Sequence, residues 1–304
     1  MRSPALKALF AALFVVLALP LAPPLAAQRP IKVFISVDME GIGGVVTAEQ
    51  LSPAGFEYGR FREFMTAEAL AAIAGAREAG ATQFVIADSH GNEQNLLIEK
   101  FPSGVTIIRG SPRPLGMMQG VDSTVSAVFF IGYHAATTNT QGVRAHTISS
   151  ATFAAVKING RASAESGLNA AIAGFFGVPV ALISGDADAV GELKAIQPAA
   201  EGAIVKQAIS FHAAATMPPE QSQALIRARA RAAIERIKDM KPYVVSGPVQ
   251  LELTYKNYTP AEMMAYMPGV ERVDSHTIRF TGKNILDISK FMGFATGYRS
   301  DLTP

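Results

Sequence analysis

Cysteine is absent from the chain. That absence removes a disulfide framework, an iron–sulfur centre, a thiolate zinc site and a cysteine nucleophile. Any metal must therefore be held by histidine and carboxylate. Runs of lysine or arginine are also missing, and charge is nearly balanced, with 27 basic against 25 acidic residues. Such a chain offers no electrostatic footprint for a phosphate backbone, so nucleic acid is not expected as a partner. Internal repeats and low-complexity linkers are missing too. One apolar run stands at the N-terminus, from Ala8 to about Leu19, preceded by Arg2 and Lys7 and interrupted by Pro20, Pro23 and Pro24. It falls short of the roughly 20 uninterrupted apolar residues that a spanning helix needs. The pattern reads as a secretory signal over residues 1–27, which predicts a periplasmic or secreted protein with no stable membrane anchor after cleavage. Removing it takes away two basic residues and no acidic ones, bringing the formal charge from +2 to zero. Roughly 275 residues remain, ample for a buried core in one or two domains.

Short runs rich in Val, Ile and Phe at Ile31 to Val37, Gln83 to Ala87 and Ala127 to Gly132 read as buried strands. Between the first two, Phe61, Phe64, Met65, Ala69, Ala72 and Ile73 recur at helical spacing within 57–79, and Gly80 ends the helix. Strand, helix, strand implies a parallel pair. Another strand is expected at Val105 to Arg109, and a short helix within 112–120. Further on come a strand to Ile158, an Asn159-Gly160 turn, a nearly all-apolar helix from Glu165 to Phe176 with Ser163 as its cap, and a strand from Val178 to Ser184. A helix over 188–196, a strand over 203–208 and an Ala/Arg-rich helix over 219–238 follow. Beyond Pro242 the order is strand (249–255), helix (260–267), strand (277–281) and helix (284–296). The expected architecture is α/β: a mostly parallel sheet with flanking helices over 28–200, then a smaller α+β domain over 201–304.

Three N-terminal strands end in residues of metal-binding type: Asp38 after the first, His90 after the second and His134 after the third. Ligands of open α/β sheets gather outside the carboxyl ends of the strands, so these segments converge on one crevice. Asp38 and Glu40 lie two apart and, in an extended segment, leave the same face, with Gly41, Gly43 and Gly44 allowing a close turn. Two adjacent carboxylates repel one another, and bound cations would remove that repulsion. The pair fits equally a turn cap beside a solvated glutamate. Glu165 opens the buried helix, where the helix dipole favours a carboxylate for structural reasons alone, or where it points into the site as a fifth ligand. His146 follows His134 across a polar loop; it suits general acid or base work or a solvated loop position. His212 and His276 have no carboxylate at ligand-like spacing and read as structural or surface residues.

Together, Ser36-Val-Asp-Met-Glu-Gly-Ile, Asp88-Ser-His, Gly132-Tyr-His-Ala, the Gly142 to His146 stretch and Glu165-Ser-Gly-Leu-Asn resemble the zinc-dependent D-aminopeptidases of the bacterial dipeptide-operon type. The likeness extends to Val205-Lys-Gln-Ala-Ile-Ser and the Ala265-Tyr-Met-Pro-Gly region. It implies two zinc ions per subunit, with Asp38 bridging, Glu40 and His90 completing one ion, and His134 and Glu165 the other. It further implies a catalytic role for His146, hydrolysis of short peptides with an N-terminal D-residue, and a homo-oligomer, in this family a decameric ring. Two departures are the signal segment and a His134 to His146 loop one residue longer, with Asn139-Thr-Gln in place of a shorter Thr-Pro.

Two other classes compete. A metallophosphoesterase calls for Asp-x-His on its first strand and an Asn-His pair later; here the first strand gives Asp-x-Glu, and no Asn-His pair occurs. A periplasmic peptide-binding protein needs no metal and no clustered ligands.

Overall fold

Two sheets organise the computed structural model, which describes residues 29–299; the signal segment lies outside the described residues. The chain opens with β1 (Ile31–Val37), a short helix α1 (Ala48–Leu51) and the long helix α2 (Tyr58–Glu78). Three more strands follow: β2 (Ala81–Asp88), β3 (Val105–Ile108) and β4 (Ala127–Tyr133). The middle of the chain supplies β5 (Phe153–Ile158), β6 (Arg161–Ala162), α3 (Glu165–Phe175), β7 (Val180–Asp186), α4 (Ala187–Ile196), β8 (Glu201–Ser210) and β9 (Ala213–Thr216). After α5 (Pro219–Glu235) come β10 (Val249–Tyr255), α6 (Tyr258–Met264), β11 (Val270–Arg272), β12 (Thr277–Gly282) and α7 (Ile285–Gly297).

The larger sheet has the order β3-β2-β1-β4-β7-β8-β9. All neighbours are parallel except β8 and β9, which form an antiparallel hairpin. Successive β1 side chains leave opposite faces. Val33, Ile35 and Val37 enter a core with Met65, Ala69 and Ile73 of α2 and Ile226, Ala230 and Ala233 of α5. Phe34 enters a second core with α3, α7 and the inner residues of the smaller sheet, such as Leu251 and Leu253. Burial on both faces is why these strands read as unbroken apolar runs instead of alternating ones. The smaller sheet, β11-β12-β10-β5-β6, is antiparallel throughout.

A boundary at residue 200 does not follow these sheets. β8, β9 and α5, all beyond it, complete the parallel sheet and its helical layer, whereas β5 pairs with β10 of the smaller sheet and carries β6 at that sheet's edge. Sequence order hides this because each sheet is closed by strands far apart in the chain. Two very short strands, β9 and β11, carry too few β-branched or aromatic residues to stand out; β9 reads Ala-Ala-Ala-Thr and forms only by pairing with β8. The turn within 112–120 tightens to a 3-10 segment over Gly116–Met118 that buries Met117 and Met118. Ser163 does not cap α3. The N-cap position is Ala164, one residue later, and the Ser163 hydroxyl donates instead to the Ala164 carbonyl (3.0 Å).

The chain moves from β1 through β2 to β3 in one direction, then β4 starts on the other side of β1. The switch point, and with it the crevice that the topology opens at the carboxyl ends, lies between β1 and β4.

Candidate metal centre

Asp38 follows β1, Ser89 and His90 follow β2, and His134 follows β4, so parallel pairing alone delivers a carboxylate and two imidazoles to the switch point. The backbone at Asp38, Met39 and Glu40 turns out of the strand and is not extended as the sequence suggested. The turn nevertheless brings both carboxylates to His90: Glu40 Oε2 lies 2.9 Å and Asp38 Oδ1 3.4 Å from its Nδ1. Close approach makes this possible. The Gly41 amide donates to the Gly132 carbonyl (2.7 Å), and a Cβ on Gly41 would sit 2.0 Å from the Tyr133 carbonyl oxygen. Gly132 has φ +73°, in the left-handed region that glycine occupies at little cost, and a Cβ there would meet the Asp38 carbonyl.

The second half of the cluster comes from α3 and the loop after β4. His134 Nε2 lies 3.3 Å from Asp38 Oδ2 and 3.3 Å from Glu165 Oε1. His146 returns beside it, its amide bonded to the Ala135 carbonyl (3.0 Å) and its ring stacked on that of His134 at 4.0 Å. Its Nε2 lies 3.7 Å from Glu165 Oε1. Asp186, which caps α4, fixes this loop by accepting from the Val143 amide (2.9 Å). In the same loop the Asn139 side chain donates to Glu192 (2.8 Å). The structure thus gathers Asp38, Glu40, His90, His134, His146 and Glu165, with potential donor atoms in two groups: Asp38, Glu40 and His90, and His134, His146 and Glu165. His212, exposed at the β8–β9 turn, and His276, paired with the Ser275 hydroxyl (2.9 Å), stand apart from both groups.

Every imidazole of the cluster uses one ring nitrogen on a backbone carbonyl. His90 Nε2 donates to Leu51 O (3.0 Å), His134 Nδ1 to Ala135 O (3.0 Å) and His146 Nδ1 to Arg144 O (2.8 Å). That arrangement fixes the tautomer and aims the remaining lone pair at the carboxylates, as metal-ligating histidines require. Asp38 Oδ2 and His134 Nε2 are both buried without a hydrogen-bond partner. Two unpartnered electron-rich atoms facing each other at 3.3 Å are costly in a protein interior and fit a cation between them.

Electrostatics agree with this fit. Burial disfavours charge on His90 and His134, but the negative charge of Glu40 beside His90 and of Glu165 beside His134, with the Asp38 carboxylate close to both, outweighs it and holds both imidazoles well above their ordinary value. Burial acts against Glu40 too, yet His90 keeps it well below the usual carboxylate range. Asp38 moves the other way, pushed up by burial and by the charge of Glu40. The cluster therefore attracts positive charge strongly. Metal ions would supply it in place of protons, with proton release on binding.

Several contributors were not singled out as site residues by the sequence. The carbonyls of Leu51, Ala135 and Arg144 orient the rings through backbone atoms, which side-chain identity does not reveal. Lys206, which belongs to the Val205-Lys-Gln stretch of the family resemblance, is buried beneath the site and donates to the carbonyls of Glu40, Ile42 and Val45. Burial holds its ammonium down to about 8, against the raising charges of Asp186 and Glu68. Glu68, a buried residue of α2, accepts from the Gly43 amide (3.0 Å) and the Ser222 hydroxyl (2.9 Å).

Burial raises Glu68 from an ordinary 4.5 to about 7. A carboxyl protonated more readily in the folded than in the unfolded chain stabilises fully below the lower value, and that contribution is lost as pH rises through the higher one. About 3 kcal/mol is expected to disappear between roughly pH 4.5 and 7 from this residue. Glu68→Gln keeps a carbonyl acceptor and cannot ionise. Its unfolding free energy relative to the unsubstituted protein should therefore rise between pH 5 and pH 8 in urea titrations of metal-free samples. A pH-independent difference contradicts this expectation.

Three carboxylates and three carbonyl-anchored imidazoles at the switch point of a parallel sheet define a metal-dependent hydrolase. The chain belongs to the D-aminopeptidase family, peptidase M55, whose profile matches residues 31–294. The resemblance carried by the motifs is thereby borne out. The D-aminopeptidase of Bacillus subtilis (strain 168) is 34% identical over 266 residues, spanning 86% of this chain and 95% of that relative. Among solved structures, the Zn-dependent D-aminopeptidase DppA from Bacillus subtilis, a self-compartmentalizing protease, matches with a TM-score of 0.85 at 32% identity, covering 90% of this chain and 100% of the other.

Proposed function

We propose that the chain is a dinuclear zinc aminopeptidase that hydrolyses short peptides bearing an N-terminal D-residue. One observation carries the two-ion reading: the two oxygens of Asp38 face separate groups, Oδ1 towards His90 at 3.4 Å and Oδ2 towards His134 at 3.3 Å. Glu40 and His90 would hold one ion, His134 and Glu165 the other, with Asp38 shared. Zinc bound there supplies Lewis acidity that polarises an amide carbonyl and makes hydroxide available near pH 7. All five donors are nitrogen or oxygen, which suits zinc in a chain without thiolates.

The protein's own groups do the remaining work. His146, anchored through Nδ1, presents Nε2 at the edge of the cluster, where it takes up a proton during attack and returns it to the leaving amine. Its side chain is 12% exposed, which leaves an edge that substrate can reach. The Gly41 and Gly132 contact holds the two sides of the crevice in register, so the donors are placed before any ion arrives.

The preference for a D-residue rests on family membership and on the relatives' activity. Assembly into a closed ring of ten copies is proposed from the resemblance and from the self-compartmentalizing relative. Export through the segment 1–27 is proposed from Arg2, Lys7 and the apolar run behind them.

Metal analysis of undialysed protein, paired with hydrolysis of D-Ala and L-Ala p-nitroanilides, tests the assignment. About two equivalents of zinc and faster cleavage of the D-isomer are expected. No bound transition metal and no cleavage would instead favour a peptide-binding protein.

A further inference from the structure

We infer that Lys206 is a positioning residue for the metal centre: its ammonium clamps the turn that carries Asp38 and Glu40 and so sets where their carboxylates point. The inference rests on the dinuclear reading above for its consequence, but on the geometry of the turn for its cause.

The turn over 38–45 has no helix or strand of its own and contains Gly41, Gly43 and Gly44, so little in its backbone restricts it. Two bonds within it, from the Ile42 amide to the Met39 carbonyl (3.2 Å) and from the Val45 amide to the Ile42 carbonyl (3.1 Å), shape it in part, and the rest of its support comes from elsewhere in the chain. The amides of Gly41, Gly43 and Gly44 donate respectively to the Gly132 carbonyl (2.7 Å), Glu68 Oε1 (3.0 Å) and the Thr216 hydroxyl (2.8 Å). Lys206 Nζ supplies the carbonyl side, donating to Glu40 O, Ile42 O (3.1 Å) and Val45 O (2.6 Å). An ammonium has three hydrogens, and all three are used.

Lys206 is the one buried lysine among the described residues. No carboxylate lies within ion-pair distance of it among them. Burying an ammonium without a direct counter-ion is expensive, whereas an apolar side chain of similar length would fill the space without that cost. What the apolar side chain would not do is serve the inward-facing carbonyls: Ile42 O would keep the Val45 amide (3.1 Å), but those of Glu40 and Val45 would each cost about 1–3 kcal/mol if left unmade. Lys206 lies on β8 opposite Asp186 at the end of β7, and β8 is separated from β1 by both β4 and β7. The clamp therefore ties the β1 turn across the crevice to the far side of the sheet.

The test uses Lys206→Met in the full chain. In metal-free protein, the amides of Gly43 and Gly44 should exchange with solvent tenfold or more faster than in the unsubstituted chain. On titration with zinc, affinity at the group containing Glu40 should fall about 10–100-fold, the range for losing a residue that orients a ligand. Binding at the group containing Glu165 should persist. Unchanged exchange together with two ions bound at unchanged affinity would overturn the inference. Should Lys206→Met fail to fold, Lys206→Cys settles the matter. The chain has no other cysteine, so aminoethylation of the unfolded variant places an ammonium at the same reach before refolding. Restored exchange protection and zinc affinity support the clamp, and a refolded adduct lacking both refutes it. Failure of the unsubstituted protein to bind two ions would count against the dinuclear reading, while exchange, read without metal, still decides the role of Lys206.

Discussion

Asp38→Ala is expected to reduce bound zinc from two equivalents to below one and to lower kcat/KM about a thousandfold or more. The reason is that, among the described residues, Asp38 is the one whose two oxygens face both halves of the cluster, Oδ1 towards His90 and Oδ2 towards His134. Without it the halves lose their common donor, and with the ions goes charge stabilisation worth several kcal/mol, each 1.36 kcal/mol being a factor of ten in rate. Asp38→Asn sharpens the test. Oδ1 accepts from the Met39 amide (2.8 Å), a contact that an amide oxygen preserves, whereas the amide nitrogen would replace Oδ2 opposite the unpartnered His134 Nε2. The asparagine variant should fold, yet bind at most one ion tightly. Two tightly bound ions and full activity in either variant would remove the basis for the shared carboxylate.

His146→Ala should behave differently, with kcat falling about 10²–10⁴-fold, the usual contribution of a positioned acid or base, while two equivalents of zinc are retained. Both readings of His146 start from the same geometry. Its Nε2 stands 3.7 Å from Glu165 and its ring stacks on His134, close enough for it to belong to the second donor group. Metal content separates them: loss of one equivalent in His146→Ala makes it a third donor of that group and not the proton carrier. Steady-state kinetics on a D-Ala anilide, with metal measured in the same samples, gives both answers together.

Much of the fold was legible because its strands are buried on both faces. Val33, Ile35 and Val37 need one core and Phe34 another, so the apolar run in β1 is unbroken and easily seen. The candidate donors were legible for a related reason. A polar residue that closes such a run stands at a strand end, and parallel strands bring their carboxyl ends to one edge. Asp38, His90 and His134 were found that way. Glu165 opens an apolar helix, where the sequence allows a dipole-favoured carboxylate or a fifth ligand, and the structure sets its carboxylate 3.3 Å from His134.

Partition into sheets was not legible in the same way. β5 looks like a continuation of the first sheet but pairs with β10, almost a hundred positions later, and β8 and β9 lie past the expected boundary yet complete the parallel sheet. Short strands of ordinary composition carry no mark of their partner, because pairing is decided by which edge is free when the chain compacts.

By itself, then, the sequence determined the chemistry available: histidine and carboxylate without thiolate, delivered by strand ends to one crevice. That follows from residue identity and from periodicities of two and 3.6, which are local. Only the tertiary structure decided how those groups face one another, which ring nitrogen each imidazole leaves free, and that a lysine more than 160 residues away holds the turn bearing Asp38 and Glu40. Those features depend on backbone carbonyls and on close approach at Gly41 and Gly132, and such contacts come into being only once distant segments pack.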